Sequence, residues 1–105
     1  MRVIVSAAVL VAGMLSMNFA AAAGDAAAGE AVYNSACKMC HGSGMMGAPK
    51  VGDAKDWEAR VAQGSAKLTQ HSLEGFNEMP PRGACKFCSD EDIANAVAYM
   101  LSKLK

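Results

Sequence analysis

The chain has 105 residues, 52% of them hydrophobic, and its ten basic and ten acidic side chains cancel. With no basic excess to neutralise phosphates, the composition argues against a nucleic-acid binder.

Met1-Arg2 supplies one positive charge, Val3 to Leu15 is apolar apart from Ser6 and Gly13, and small residues follow as far as Ala20-Ala21-Ala22-Ala23. Charged, apolar and small-residue regions in that order predict a secretory signal peptide over 1–23, cut after Ala23. The stretch is also close to the roughly 20 residues that span a bilayer, so an uncleaved anchor is the alternative. The alanine-rich end, Ser16 and Asn18 favour the peptidase. Either way the remaining domain, 24–105, is exported, and its cysteines meet an oxidising compartment.

From Gly24 onward 37 of 82 residues are hydrophobic, but fourteen of these are alanine and only 11 are Leu, Ile, Val or Phe. So few large apolar side chains ordinarily mean disorder, yet disorder normally brings a high net charge, which is missing here. A domain of this size and composition needs a disulfide, a metal, a cofactor or an oligomer.

Asp25 is placed to cap a helix that starts at Ala26 and runs through Val32 and Tyr33 to about Cys40, stopped by Gly42-Ser43-Gly44. Residues 42 to 53 hold four glycines and Pro49 and read as a loop. Asp53 or Asp56 starts a second helix through Trp57, Val61 and Ala62 that ends near Gly64, and a third runs from about Ser65 to Glu74 before Gly75. Residues 75 to 88 are irregular, because Pro80-Pro81 lacks two backbone donors. Ser89 caps the last helix, Asp90-Glu91-Asp92 occupy its positive end and Lys103 and Lys105 its negative end. Ile93, Ala96, Val97, Met100, Leu101 and Leu104 form one apolar stripe on it. No strand pattern is present, and the fold class expected is all-α.

Cys37-Lys38-Met39-Cys40-His41 has the C-x-x-C-H spacing of c-type haem attachment. Two cysteines three apart on a helical turn put both sulfurs on one side, in reach of the two vinyl groups of one porphyrin. The next residue then delivers a neutral imidazole to the iron, and its other nitrogen needs an acceptor to orient the ring. The rival is a zinc module built from Cys37, Cys40, Cys85 and Cys88, although the 44 residues between the pairs exceed the usual gap of 15 to 20.

An electron carrier gains from a second strong axial ligand, which leaves no open site for oxygen chemistry. Met39 lies inside the attachment turn, Met100 falls on the apolar stripe, and Met45 and Met46 sit close to His41. Met79 lies 38 residues beyond His41, far enough to reach the opposite face, and the prolines after it stiffen its presentation. Met79 is therefore preferred; His71 is the other candidate and reads more simply as a polar helix residue.

With these residues in place, the chain resembles the small class I bacterial cytochromes c, most closely the cytochrome c5 type. Besides the attachment motif, the resemblance rests on Gly47-Ala48-Pro49-Lys50-Val51-Gly52-Asp53, Trp57, Leu73-Glu74-Gly75-Phe76 and Met79-Pro80-Pro81-Arg82-Gly83. It implies helices wrapped around one covalently bound haem c, with Cys37 and Cys40 carrying the haem, His41 and Met79 on the iron and the Pro49 carbonyl accepting from His41. It further implies a crossing of the first and last helices through Gly29 and Tyr33, with Tyr99 and either Val97 or Met100 opposite. The second cysteine pair of the c5 type matches Cys85 and Cys88, and implies a disulfide that pins the segment between Met79 and the last helix.

The function implied is that of a periplasmic electron carrier rather than an enzyme, without nucleic-acid partners and attached to a membrane only through an uncleaved leader. Its donor would be a quinol-oxidising complex or another reductant, and its acceptor a terminal oxidase or reductase. A haem-based sensor or small-ligand binder with a labile Met79 is the alternative. Met45, Met46 and Ala48 are candidates for an apolar docking rim, because mixed charges leave no lysine ring to serve.

Overall fold

Asp25 opens the fold as a helix cap: its carboxylate accepts from the N–H groups of Ala27 and Ala28, and α1 follows over Ala26–Val32. The computed structural model describes residues 24–104, so the leader expected over 1–23 lies outside the described residues.

The single α-helix expected as far as Cys40 is interrupted. Tyr33–Cys37 form a π-helical turn, in which the Lys38 N–H reaches back to the Tyr33 carbonyl, and only then does α2, Lys38–His41, resume α geometry. One extra residue in a turn re-aims everything after it. Here Tyr33 is buried in the core at the start of the π turn, Cys37 ends that turn, and Cys40 and His41 follow on α2. Apolar spacing could not reveal it, because alanines on both sides blur the period.

After the loop, Asp53 rather than Asp56 caps α3, Ala54–Val61, by accepting from Lys55 and Asp56 N–H. The fourth helix, α4, spans Ser65–Glu74 and stops at Gly75, whose φ of +90° suits only a residue without Cβ. The last, α5, spans Asp90–Ser102 behind a reciprocal capping box of Ser89 and Asp92. Between α4 and α5 the chain makes one isolated bridge, Phe76 to Met79, and a 3-10 turn over Pro81–Ala84. Among the described residues there is no strand, and no helix long and apolar enough to cross a membrane.

The first and last helices cross in close contact at Gly29, where a Cβ would come within 1.8 Å of the Asn95 carbonyl oxygen. One turn on, the rings of Tyr33 and Tyr99 meet at 5.1 Å. Asn95 is buried in the crossing, and its Oδ1 accepts the Asp25 N–H at 2.7 Å, tying the cap of α1 to the middle of α5. The core divides into two clusters. Tyr33, Trp57, Leu68, Val97 and Met100 form one; Cys85, Cys88 and Ile93, against Val32, Ala36 and Leu73, form the other.

Candidate functional site

The three residues of the attachment motif lie on one helical turn. Cys37 and Cys40 are free thiols, each half-buried, and His41 beside them is buried. Burial pushes the Cys37 thiol above its ordinary value, and the neighbouring Cys40 adds to the effect.

The His41 ring is oriented from behind. Its Nδ1 lies 2.8 Å from the Pro49 carbonyl oxygen. A carbonyl can only accept, so Nδ1 is the donor in this contact, and in the neutral ring Nε2 keeps its lone pair. The loop that supplies the carbonyl is itself strapped down. Val51 N–H donates to the His41 carbonyl at 2.7 Å, the Trp57 indole N–H donates to the Lys50 carbonyl at 2.8 Å, and Lys50 N–H donates to Asp56 Oδ2 at 3.1 Å. The Trp57 ring stacks 6.0 Å from the His41 ring. Sequence patterning singled out Pro49 and Trp57 through the resemblance, but it missed the Lys50 to Asp56 tie, because two charged residues six apart across a loop carry no periodic signal.

Met79 is half-buried, and its backbone exchanges both hydrogen bonds with Phe76 at 2.9 Å. A Cβ at Gly83 would lie 4.0 Å from Met79 Cε and 3.7 Å from the Ala36 carbonyl, so the Gly83 turn brings the methionine tip and the start of the attachment motif together. Of the other sulfurs, Met100 is packed in the core, whereas Met39 is 75% exposed and Met46 68% exposed. The His71 ring, half-buried, stacks on Phe76 at 4.2 Å. Met45 is exposed and Ala48 half-buried in the loop beyond His41.

Cys85 and Cys88 are joined as a disulfide and buried. This overturns the alternative of a zinc module, since two of its four sulfurs are bonded to each other and hold no lone thiolate for a metal. Among the described residues, moreover, no three His, Cys, Asp or Glu side chains group to hold a metal ion.

Fold and site define a class: a small all-α domain that presents two free thiols and an oriented imidazole on one turn. The family model described as "Cytochrome C oxidase, cbb3-type, subunit III" matches residues 24–100. The chain is 44% identical over 102 residues to cytochrome c-555 of Chlorobaculum tepidum, covering 93% of this chain and 94% of that protein. To cytochrome c5 of Azotobacter vinelandii it is 43% identical over 79 residues, covering 73% and 95%. A solved cytochrome c in an electron-transfer complex with nitrite reductase superimposes with a TM-score of 0.69 at 43% identity, over 72% of this chain and 93% of that one.

The chain belongs to the class I c-type cytochromes, electron-transfer proteins that carry a covalently attached c-type haem. Its own residues fit that group. Two free thiols three residues apart suit two thioether bonds, and the imidazole has its proton held on the nitrogen that faces the protein.

Proposed function

We propose that the exported domain, 24–105, is a periplasmic one-electron carrier, freed from its leader at Ala23, whose haem is bonded to Cys37 and Cys40 and ligated by His41 and Met79. The observation that carries this reading is the His41 to Pro49 hydrogen bond, because it fixes the tautomer and leaves Nε2 as the only donor atom of that ring.

When bound, the haem supplies one iron that takes up and releases a single electron. The work of the chain is to hold that group rigidly and exclude water from it. His41 needs no reorientation on a change of charge, since the Pro49 carbonyl, fixed through Lys50 and Val51, holds its ring. Met79 offers a soft, neutral thioether on a segment stiffened by Pro80 and Pro81, a donor that favours ferrous iron and a high reduction potential. The relatives are named as cytochromes c, which supports reading the chain as a carrier rather than an enzyme.

Export is supported by the leader pattern and by the Cys85 to Cys88 disulfide, which persists in an oxidising compartment. Redox proteins as partners are supported by the cytochrome c neighbour, which was solved bound to nitrite reductase. Within that class, a quinol-oxidising complex as donor and a terminal oxidase or reductase as acceptor fit a small exported carrier.

Replacing the axial thioether tests the reading. Met79→Ala is expected to keep the covalent haem, to lose the far-red methionine-to-ferric-iron absorption and to lower the potential by on the order of a hundred millivolts, within the roughly 0.8 V over which axial ligands set haem potentials. A variant whose axial-ligand spectrum matches the wild type would show that another residue holds the sixth position.

A further inference from the structure

We propose that Arg82 is a positioning residue for Met79: its guanidinium latches the turn after the methionine to the disulfide loop and to the start of α5. The inference rests on the reading of Met79 as the axial ligand.

The turn is strained. Arg82, Gly83 and Ala84 have φ of 60°, 59° and 67°, three successive residues in the left-handed region, two of which carry a Cβ. Asn77, two residues before Met79, is there as well, at 53°. Side chains disfavour this region, and such backbone persists only where its surroundings over-determine it.

On the upstream side the surroundings are plain. Met79 and Phe76 are paired through both backbone groups, and Gly75 is packed so closely that a Cβ there would meet Pro81 N at 3.0 Å. Downstream, the Cys85 to Cys88 disulfide closes a tight loop against Ile93. Within the strained turn itself, the backbone bonds are Gly83 N–H to the Pro80 carbonyl and Cys85 N–H to the Arg82 carbonyl.

The Arg82 side chain joins the two ends. Its Nη1 donates to the Cys88 carbonyl at 3.0 Å, and its Nη2 pairs with the Asp90 carboxylate in the first turn of α5. The planar fork of an arginine meets the two acceptors from two separate nitrogens in a fixed geometry, whereas a lysine would have to serve both from one nitrogen on a flexible stem. Asp90 is 73% exposed on its side chain, so the ion pair is screened and the bond to the Cys88 carbonyl is the stronger restraint. The Gly83 backbone runs beside Met79 and Ala36, since a Cβ there would come within 4.0 Å of Met79 Cε and 3.7 Å of the Ala36 carbonyl oxygen, so slack in this turn would reach the thioether and the residue before Cys37.

Imidazole titration of the ferric holoprotein reads how often the sixth position opens. Arg82→Gln is expected to raise imidazole affinity about tenfold, the size set by one charge-assisted hydrogen bond. Arg82→Lys should fall between the two, and Asp90→Asn should raise affinity by about two- to threefold, as for a screened pair. The Arg82→Gln and Asp90→Asn changes remove charges of opposite sign. An electrostatic effect on the iron would therefore move affinity in opposite directions, whereas a latch moves both upward.

Unchanged affinity in Arg82→Gln, or opposite responses in the two variants, overturns the latch. Should Arg82→Gln fail to mature, Arg82→Lys and Asp90→Asn carry the same test, and wild-type affinity in both overturns it. Met79→Ala separates the two readings. If it raises imidazole affinity strongly while the Arg82 variants do not, only the latch fails; if it leaves affinity unchanged, the assignment of Met79 fails and the latch with it.

Discussion

At His41 one hydrogen bond decides which nitrogen can act as a ligand, and the acceptor comes from eight residues further along the chain. The motif showed that an imidazole stands beside two thiols, but the tautomer depended on where Pro49 lies. Tyr33 reads from composition as one aromatic in an alanine-rich helix; the resemblance put it at the helix crossing, and the structure buries it in the core there. Burial pushes its phenol above the ordinary value of 10.0, with a smaller contribution from Tyr99 and, while its thiol is free, from Cys37. A raised folded-state pKa means that the unfolded chain loses its proton first. The stability this group contributes is thus fully present below about pH 10 and is lost as pH rises through the folded value. Tyr33→Phe should accordingly flatten the fall in unfolding free energy of the holoprotein in that alkaline window, as measured by denaturant titration at stepped pH; an unaltered slope would exclude Tyr33 as its source.

At the scale of elements, cap chemistry made most boundaries legible. Asp25, Asp53 and Ser89 each start a helix, and Gly75 ends one, because caps act locally and leave a local signature. The π turn at Tyr33–Cys37 left none, since it answers to packing across the molecule rather than to its own residues. The same holds for the helix crossing: Gly29 was picked out through family resemblance, while Asn95 reads in sequence as one polar residue among alanines. A methyl group at Gly29 would collide with the backbone of α5 rather than with a side chain that can turn away. Because the obstacle is backbone, the overpacking cost of Gly29→Ala should fall in the upper part of the usual range of about 1–3 kcal/mol, and after the roughly 1 kcal/mol gained in helix propensity the holoprotein is expected to lose about 1–2 kcal/mol. Thermal unfolding checks it, and a melting temperature at or above wild type would mean that the helices part without cost.

For the molecule as a whole, the shortage of Leu, Ile, Val and Phe is the controlling fact. The described core consists of two small clusters, and one of these is built around a disulfide. A porphyrin is large, flat and apolar, and the family's covalent haem supplies surface that the side chains do not. The double variant Cys37→Ala, Cys40→Ala, which cannot tether the haem, is expected to lose most of its helical circular dichroism and to be digested rapidly by a protease. A helical, protease-resistant product would show that the polypeptide folds on its own side chains.

The sequence by itself determined most helix boundaries, the attachment motif and the shortage of large apolar side chains, because caps, spacing and composition are properties of neighbours along the chain. Only the tertiary structure decided the π turn at Tyr33–Cys37, the ties of Lys50 to Asp56 and Trp57, and the contacts of Arg82 with the Cys88 carbonyl and Asp90. Those features depend on groups that the chain brings together only after each helix has found the face it buries.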